Sequence, residues 1–461
     1  MSRTGRVIHH SILAAPRRRL RIGRPAAVAL GVVLATANQG AAQDRPLTAD
    51  LEEVYRVGGM NAEEWAFFED SVPIAFDGAG NLYVLNTQAS QVVIVDPQGG
   101  LVRTLGRKGE GPGEFNLVSQ FWVWRDGRYV VQDMGHGAYQ VFSPTGELER
   151  FVRMGAGAGP LAMIGGMRLW VRADPAGGAL IAQGMPSMFG GVMSSVFEEM
   201  GEIFGDVGEV PEPGVDERGL ERLDLTGDLV STTPILQAWR VPREEIEADL
   251  DVEDLLSNPE SLVGLGDNVR YYEPGFFWDV LPDGAIAYSD STAYTIRIAR
   301  PAGEIIDELR RPFSPEAVTD RIRRASIENA LQQFEQERVE LMGEGDNAEL
   351  AEFLGPMMEG MVDAFRESAE KREFYPEIAV VRGVRATWDG ALWIQRRGEE
   401  PWDNAGPIDV FNADREYVGT FAAEDIEMPI AFGPDGMVAH WEFDELDVPT
   451  LVVRRLPGEV R

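Results

Sequence analysis

Apolar and polar positions alternate along this chain in short runs, and a tight-turn signal interrupts them at intervals. The signal, usually an acid followed by glycine, recurs as FDGAGNLYVL (76–85), RDGRYVVQD (125–133), PDGAIAYSD (282–290), WDGALWIQR (388–396) and PDGMVAHWE (434–442). A weaker copy is ADPAGGALIAQ (173–183). After each comes a run rich in Val, Ile, Tyr or Trp, which predicts a strand leaving a hairpin. A second turn follows in most units, as DPQGG (96–100), SPTGE (143–147), DLTGD (224–228), RPAGE (300–304) and NADRE (412–416). Each unit therefore predicts four antiparallel strands in about 45 residues, the period of a propeller blade. Six units fit. The sixth, beginning at Pro429, stops after three strands, and LEEVYRVGG (51–59) is available as the fourth. The pattern predicts an all-β fold, a six-bladed β-propeller closed by an N-terminal strand that leaves no raw sheet edge at the seam.

The spacing also places the surplus sequence. Two intervals between first turns are about sixty residues too long for one blade. The excess falls at 184–217 inside blade three, 241–273 between blades three and four, and 313–375 between blades four and five. In a four-stranded meander the second-to-third loop and the crossover to the next blade share one face. All three insertions belong to that class, so one face is trimmed to tight turns and the other is crowned. The crown is acidic and helical by pattern. Ser314 is the expected N-cap with Pro315 at the first helical position, and Ile327, Ala330, Leu331 and Phe334 keep helical spacing.

Composition narrows the setting. PRRRLRIGRP, the apolar AAVALGVVLATA (26–37) and the small residues of NQGAAQD form the pattern of a secretory signal peptide. This predicts cleavage near Ala42, with 1–42 as signal peptide, 44–461 as propeller, and an exported, periplasmic or extracellular product. Twelve apolar residues are too few to span a bilayer of about 30 Å, so no stable membrane insertion is expected. Cysteine is absent, which excludes disulfides and thiolate metal sites. The net charge is -34, and the leader's seven arginines and no acids leave the remainder near -41. Such a field repels nucleic acid and anionic lipid and favours cations or a basic partner.

GRKGEGPGEF (106–115) is glycine-rich in the manner of a phosphate loop, yet strands are predicted on both sides and no Lys-Ser or Lys-Thr follows. It predicts an interblade crossover whose glycines take φ > 0. Gly109, Gly111, Pro112, Gly113 and Phe115 match one element of the NHL-type blade, and Asp77, Gly80, Asn81, Leu82, Tyr83 and Val84 match its hairpin. Asp96, Pro97 and Gly99 match the third element. The chain thus resembles NHL-repeat six-bladed propellers, and especially the exported bacterial "6-bladed β-propeller" proteins. The resemblance implies the fold and is nearly silent on activity, because propellers host lyases, hydrolases and binding platforms alike.

Candidate chemistry is sparse. After cleavage two histidines remain, His136 in DMGHGAY and His440 in MVAHWEF, both toward the crowned face and flanking blade one. Two His with a carboxylate from the crown would make a metal site, against ordinary surface or core histidines. NHL-type amidating lyases use several axial histidines, more than this chain has, so that activity does not carry over. The hydrolase elbow G-x-S-x-G is absent. Lactonase-like propellers bind calcium through axial Glu, Asn and Asp, and the resemblance nominates Asn86, Asp133 and Asp290, with loop capping as the alternative. Tyr139, Tyr294, Trp402 and Trp441 fall in or beside second-to-third loops, as binding anchors or interblade packing. No cofactor motif is evident; calcium or another divalent ion is the one these residues leave room for. The leading expectation is an exported binding or scaffold protein with a protein or small-molecule partner at the crowned mouth. The alternatives are a metal-assisted hydrolase or lyase there, and a structural or adhesion component of the envelope.

Overall fold

The computed structural model describes residues 44–68, 72–155, 168–185, 215–242, 269–342, 362 and 364–461. Blade one contains β2 (Ile74–Phe76), β3 (Leu82–Asn86), β4 (Gln91–Val95) and β5 (Leu101–Leu105). Blade two contains β6 (Val118–Val123), β7 (Tyr129–Asp133), β8 (Ala138–Phe142) and β9 (Leu148–Arg153). Blade three is β10 (Val171–Ala173), β11 (Ala179–Gln183), β12 (Gly219–Asp224) and β13 (Ser231–Gln237). Blade four is β14 (Phe277–Val280), β15 (Ile286–Ser289), β16 (Thr295–Ala299) and β17 (Ile305–Arg310). A small ladder of β18 (Glu316–Ala317) and β19 (Glu377–Ile378) precedes blade five, which is β20 (Val381–Ala386), β21 (Leu392–Arg396), β22 (Ile408–Phe411) and β23 (Tyr417–Phe421). Blade six is β24 (Ala431–Phe432), β25 (Met437–Phe443) and β26 (Pro449–Arg455), completed by β1 (Glu52–Gly58). The predicted closure is present, with Glu52 opposite Arg455 and Gly58 opposite Thr450.

Alternation explains the packing between blades. In β3, Leu82 and Val84 enter a buried cluster with blade six, whereas Tyr83 and Leu85 enter one with blade two. Further buried clusters join blades two and three, three and four, four and five, and five and six, so every neighbouring pair in the ring shares apolar surface. The repeat also extends to backbone detail. A bulge marks the end of the third strand in blades one, two, four and five, at Ile94/Val95, Val141/Phe142, Ile298/Ala299 and Val410/Phe411.

The GRKGEGPGEF stretch is a crossover, as its flanking strands imply. Gly109 N donates to Phe115 O at 3.0 Å and Phe115 N to Arg107 O at 2.8 Å, while Gly111 N donates to the Glu114 carboxylate at 2.9 Å. The N–H groups of Gly109, Gly111 and Phe115 are therefore spent within the loop and do not face a phosphate cradle. Gly113 holds φ +78, and the buried Phe115 ring stands edge-on to Phe142 at 5.8 Å. Gly106 also takes φ > 0, at +91, whereas Gly109 and Gly111 do not.

The crown helix α1 (Asp320–Met342) begins later than the sequence pattern suggests. Glu316 and Ala317 are extended because they pair with Ile378 and Glu377, so Ser314 does not cap it. Thr319 takes that place, its hydroxyl accepting from Ile322 N at 3.3 Å. A second helical stretch follows at 364–371. The insertions leave the blades at β11–β12, β13–β14 and β17–β20, which are all connections of one face. Much of 184–217 and 241–273, residues 343–361 of the third insertion and the expected signal peptide lie outside the described residues.

Candidate functional site

The two ends of the propeller axis differ. On the tight-turn face, Arg125 Nη2 of blade two donates to Trp388 O of blade five at 3.2 Å, with its guanidinium 4.7 Å from that indole ring. Blades two and five stand opposite each other in a ring of six, so this contact crosses the mouth. Gly78 N of blade one donates to Arg125 O at 2.9 Å and adds a third blade to the closure.

Further along the axis, innermost strands contribute a charged triad. Asp279 of β14 accepts from Arg172 Nε of β10 at 2.9 Å and from Arg385 Nε of β20 at 3.1 Å. Its second oxygen also accepts from Ala386 N at 3.0 Å, and Arg385 Nη2 donates to Ile430 O of blade six at 3.2 Å. Four blades are thereby tied through polar contacts. Burial pushes the Asp279 carboxyl upward, but the two guanidiniums and backbone N–H donors outweigh it and leave it below the usual range. Burial and the like charge of Arg172 lower Arg385 in turn.

The residues nominated from sequence are dispersed. Asp133 is fully buried and accepts from the N–H groups of Asn116, Leu117 and His136, from Gln140 Nε2, and shares a 2.7 Å contact with His136 Nδ1. Its oxygens hold the crossover and loop together. His136 lies against Phe151 of the outermost strand β9, with Glu110 3.7 Å from its Nε2, at the blade rim and away from the axis. Asn86 caps its own turn through Ala89 N at 2.9 Å. Asp290 accepts from Trp239 N at 2.9 Å and pairs with Arg297. Among the described residues, no group of three or more His, Asp or Glu is arranged to hold a metal ion.

The aromatics divide similarly. Tyr139 is buried between blades two and three, where burial pushes its hydroxyl up to about 12, and Tyr294 is buried between blades four and five. Trp402 is half-buried in a turn whose neighbour Pro401 accepts from Arg382 Nη2 at 3.1 Å. Trp441, also half-buried, meets Phe68 edge-on at 6.0 Å on the crowned side. His440 of β25 places Nε2 3.3 Å from Glu427 O and shares no neighbour with His136 in these contacts.

Burial, followed by the charge of Arg454, lowers His440 to about 4, with Glu427 O and Glu442 opposing. The unfolded chain therefore takes up this proton first as pH falls below 6.5. The stability that neutral His440 contributes is fully present above that pH and is lost between 6.5 and about 4. Urea unfolding across this window should show the parent losing up to about 3 kcal/mol relative to His440→Gln as pH falls. A constant difference would mean that the imidazole titrates normally.

Sequence reasoning missed a second buried network. Asp409 pairs with Arg311 at 2.8 Å, and Asp44 bridges Arg311 at 2.9 Å and Arg396 at 2.7 Å. The Arg311 guanidinium stacks 4.0 Å from the Tyr417 ring. No local motif marks these residues. Only charged positions within predicted apolar strands, Asp279 in FFWDV and Asp409 in PIDVF, carry a hint.

The crowned face carries an open groove of about 640 Å³ along α1. Ile327 and Leu331 form its apolar floor, with Arg324, Glu328, Glu335 and Glu370 among its polar walls.

Residues 74–148 match the family model described as 6-bladed beta-propeller. The match spans blade one and reaches the start of β9 in blade two, where the sequence repeat is clearest. Among solved structures, a member of the DUF4221 family from Bacteroides vulgatus is 13% identical, with 88% of this chain and 99% of that chain covered at a TM-score of 0.44. Virginiamycin B lyase from Staphylococcus aureus is 10% identical, with 87% and 99% covered at a TM-score of 0.36. A gluconolactonase from Xanthomonas campestris is 13% identical, with 90% and 91% covered at a TM-score of 0.32. No curated protein matches the chain.

Proposed function

We propose that this protein is an exported binding or scaffold protein that engages its partner through the crowned face. The observation that carries the reading is the contrast between the two ends of the axis. Arg125 and Trp388 bridge the tight-turn mouth, whereas the opposite face presents the α1 groove. Export rests on the leader pattern, and no helix among the described residues is long and apolar enough to cross a membrane.

The crown is anchored firmly enough to serve as a surface. Tyr271 stacks on Phe374 with ring centroids 4.6 Å apart, and Tyr272 and Ser326 share a 2.5 Å hydroxyl contact. Arg372 covers the Tyr271 ring and Arg323 the Phe374 ring, so cationic groups brace the aromatic base. The β18–β19 ladder, extended by Val318 N donating to Pro376 O at 2.9 Å, brings the two ends of the insertion together. Residues 319–375 should therefore be removable with a short Gly/Ser linker, because closure cost changes slowly with loop length. The excised protein is expected to melt cooperatively within about 5 °C of the parent. It should no longer retain the partner that the parent captures from an envelope extract. Failure to fold would place the helices in the core, and unchanged capture would move the working surface away from the α1 groove.

A further inference from the structure

At the seam between blades six and one, four large apolar side chains stand in solvent. Met60 is 63% exposed, Phe67 65%, Leu446 69% and Phe443 39%. The backbone gathers them. Gly59 N donates to Pro449 O at 3.0 Å, and Pro449 stands opposite Phe443 in the β25–β26 ladder. Met60, one residue further on, is thus two strand spacings from Phe443, about 10 Å. Leu446 lies in the turn between those strands, where the Asp444 carboxylate accepts from Leu446 N at 2.8 Å and Val448 N at 3.0 Å. Phe67 follows Ala66, whose carbonyl lies beside Gly58, and precedes Phe68 with its ring against Trp441. Both connections open on the crowned face.

The surrounding charge has one sign. Glu63, Glu64, Asp444, Glu445 and Asp447 are exposed around these side chains, and neither 58–68 nor 437–450 contains Lys or Arg. The nearby Arg56 and Arg454 both pair with Glu442, Arg56 at 3.5 Å. A cluster of exposed apolar side chains rimmed by polar residues is a recognised mark of an interaction site.

We propose that this patch docks a cationic amphipathic segment of a partner protein. The inference rests on the crowned face as the working surface and names the chemistry of what it receives. The segment's apolar side covers Met60, Phe67, Phe443 and Leu446, while its Lys or Arg side chains meet the acidic rim. The same acids oppose an anionic membrane surface. A second copy would set acid against acid in a chain of net charge -34.

The test uses the full chain and a synthetic Leu/Lys amphipathic helix of about 14 residues, followed by fluorescence anisotropy. The parent should bind it, and the Phe67→Ser/Leu446→Ser variant, altered only at exposed side chains, should bind at least about tenfold more weakly. Glu64→Gln/Glu445→Gln should weaken binding and flatten its salt dependence. Equal binding of a Ser/Lys peptide, or unchanged affinity in the Phe67/Leu446 variant, would overturn the proposal. So would a concentration-dependent dimer that this variant abolishes, since it would assign the patch to a second copy. The 319–375 excision separates the two readings. Capture lost on excision with probe binding intact in the patch variant removes the patch alone. Probe binding lost in the patch variant with capture unaffected by excision supports the patch and removes the crown helix.

Discussion

Deleting residues 44–60 is expected to abolish cooperative unfolding and drive the protein into aggregates. The segment covers the edges of two blades. β1 pairs with β26 from Glu52 to Gly58, and its loss leaves β26 as an open edge. Upstream, Arg45 O accepts from Thr420 N at 2.7 Å and Leu47 N donates to Thr420 O at 2.9 Å, so the chain also lies along β23. Tyr55 and Val57 are buried against blade one, and each such side chain contributes about 1.5–3 kcal/mol. Together with the unpaired backbone groups, the loss approaches the entire stability of an ordinary domain, about 5–15 kcal/mol. Asp44→Ala alone should cost no more than about 1 kcal/mol, because its side chain is 39% exposed and Asp409 still pairs with both Arg311 and Arg396. Calorimetry and size-exclusion chromatography would decide between these outcomes. A truncated protein melting like the parent would show that closure contributes little.

The features legible in the sequence were local ones. Asp77 illustrates why. Its carboxylate accepts from Ala79 N and Asn81 N at 2.9 Å each, while Gly80 takes φ +85, so the turn is determined by residues within a few positions. Alternation in the following strand then divides Leu82 and Val84 from Tyr83 and Leu85 between two interfaces, which is why six blades and their closing strand can be counted from the sequence. The faces followed from strand order alone. The candidate site was much less legible. The pattern around Asp133 suits a metal ligand, yet its acceptors are used by Asn116, Leu117 and Gln140, residues whose positions depend on the crossover. The start of α1 lies beyond the Ser314-Pro315 signal because β18 pairs with a segment some sixty residues away. Axial and rim contacts join blades distant in sequence, as in Arg125 with Trp388, and no spacing rule reports them.

Asp279→Ala should be the most damaging single substitution at the axis. It would leave the guanidiniums of Arg172 and Arg385 facing each other without their shared carboxylate, and Ala386 N without its acceptor. Breaking a buried pair by removing one partner typically costs about 3–5 kcal/mol, because the remaining charge stays desolvated. Asp279→Asn isolates the charge. It can still accept from Ala386 N, so a loss close to that of Ala would assign the effect to the uncompensated arginines. The pH dependence has a definite sign. The folded-state carboxyl sits below its ordinary 3.8, so its contribution is present above that value and is lost as pH falls through the lower folded pKa. Parent and Asp279→Asn should therefore converge in urea unfolding only in strong acid. Replacing Arg172, Asp279 and Arg385 together by Leu, Leu and Met should recover much of the loss, because an apolar set carries no desolvation penalty. If the triple variant is no better than Asp279→Ala, the arginines act chiefly through their other contacts, such as Arg385 with Ile430 O, and the triad is not the element that ties the blades at the axis.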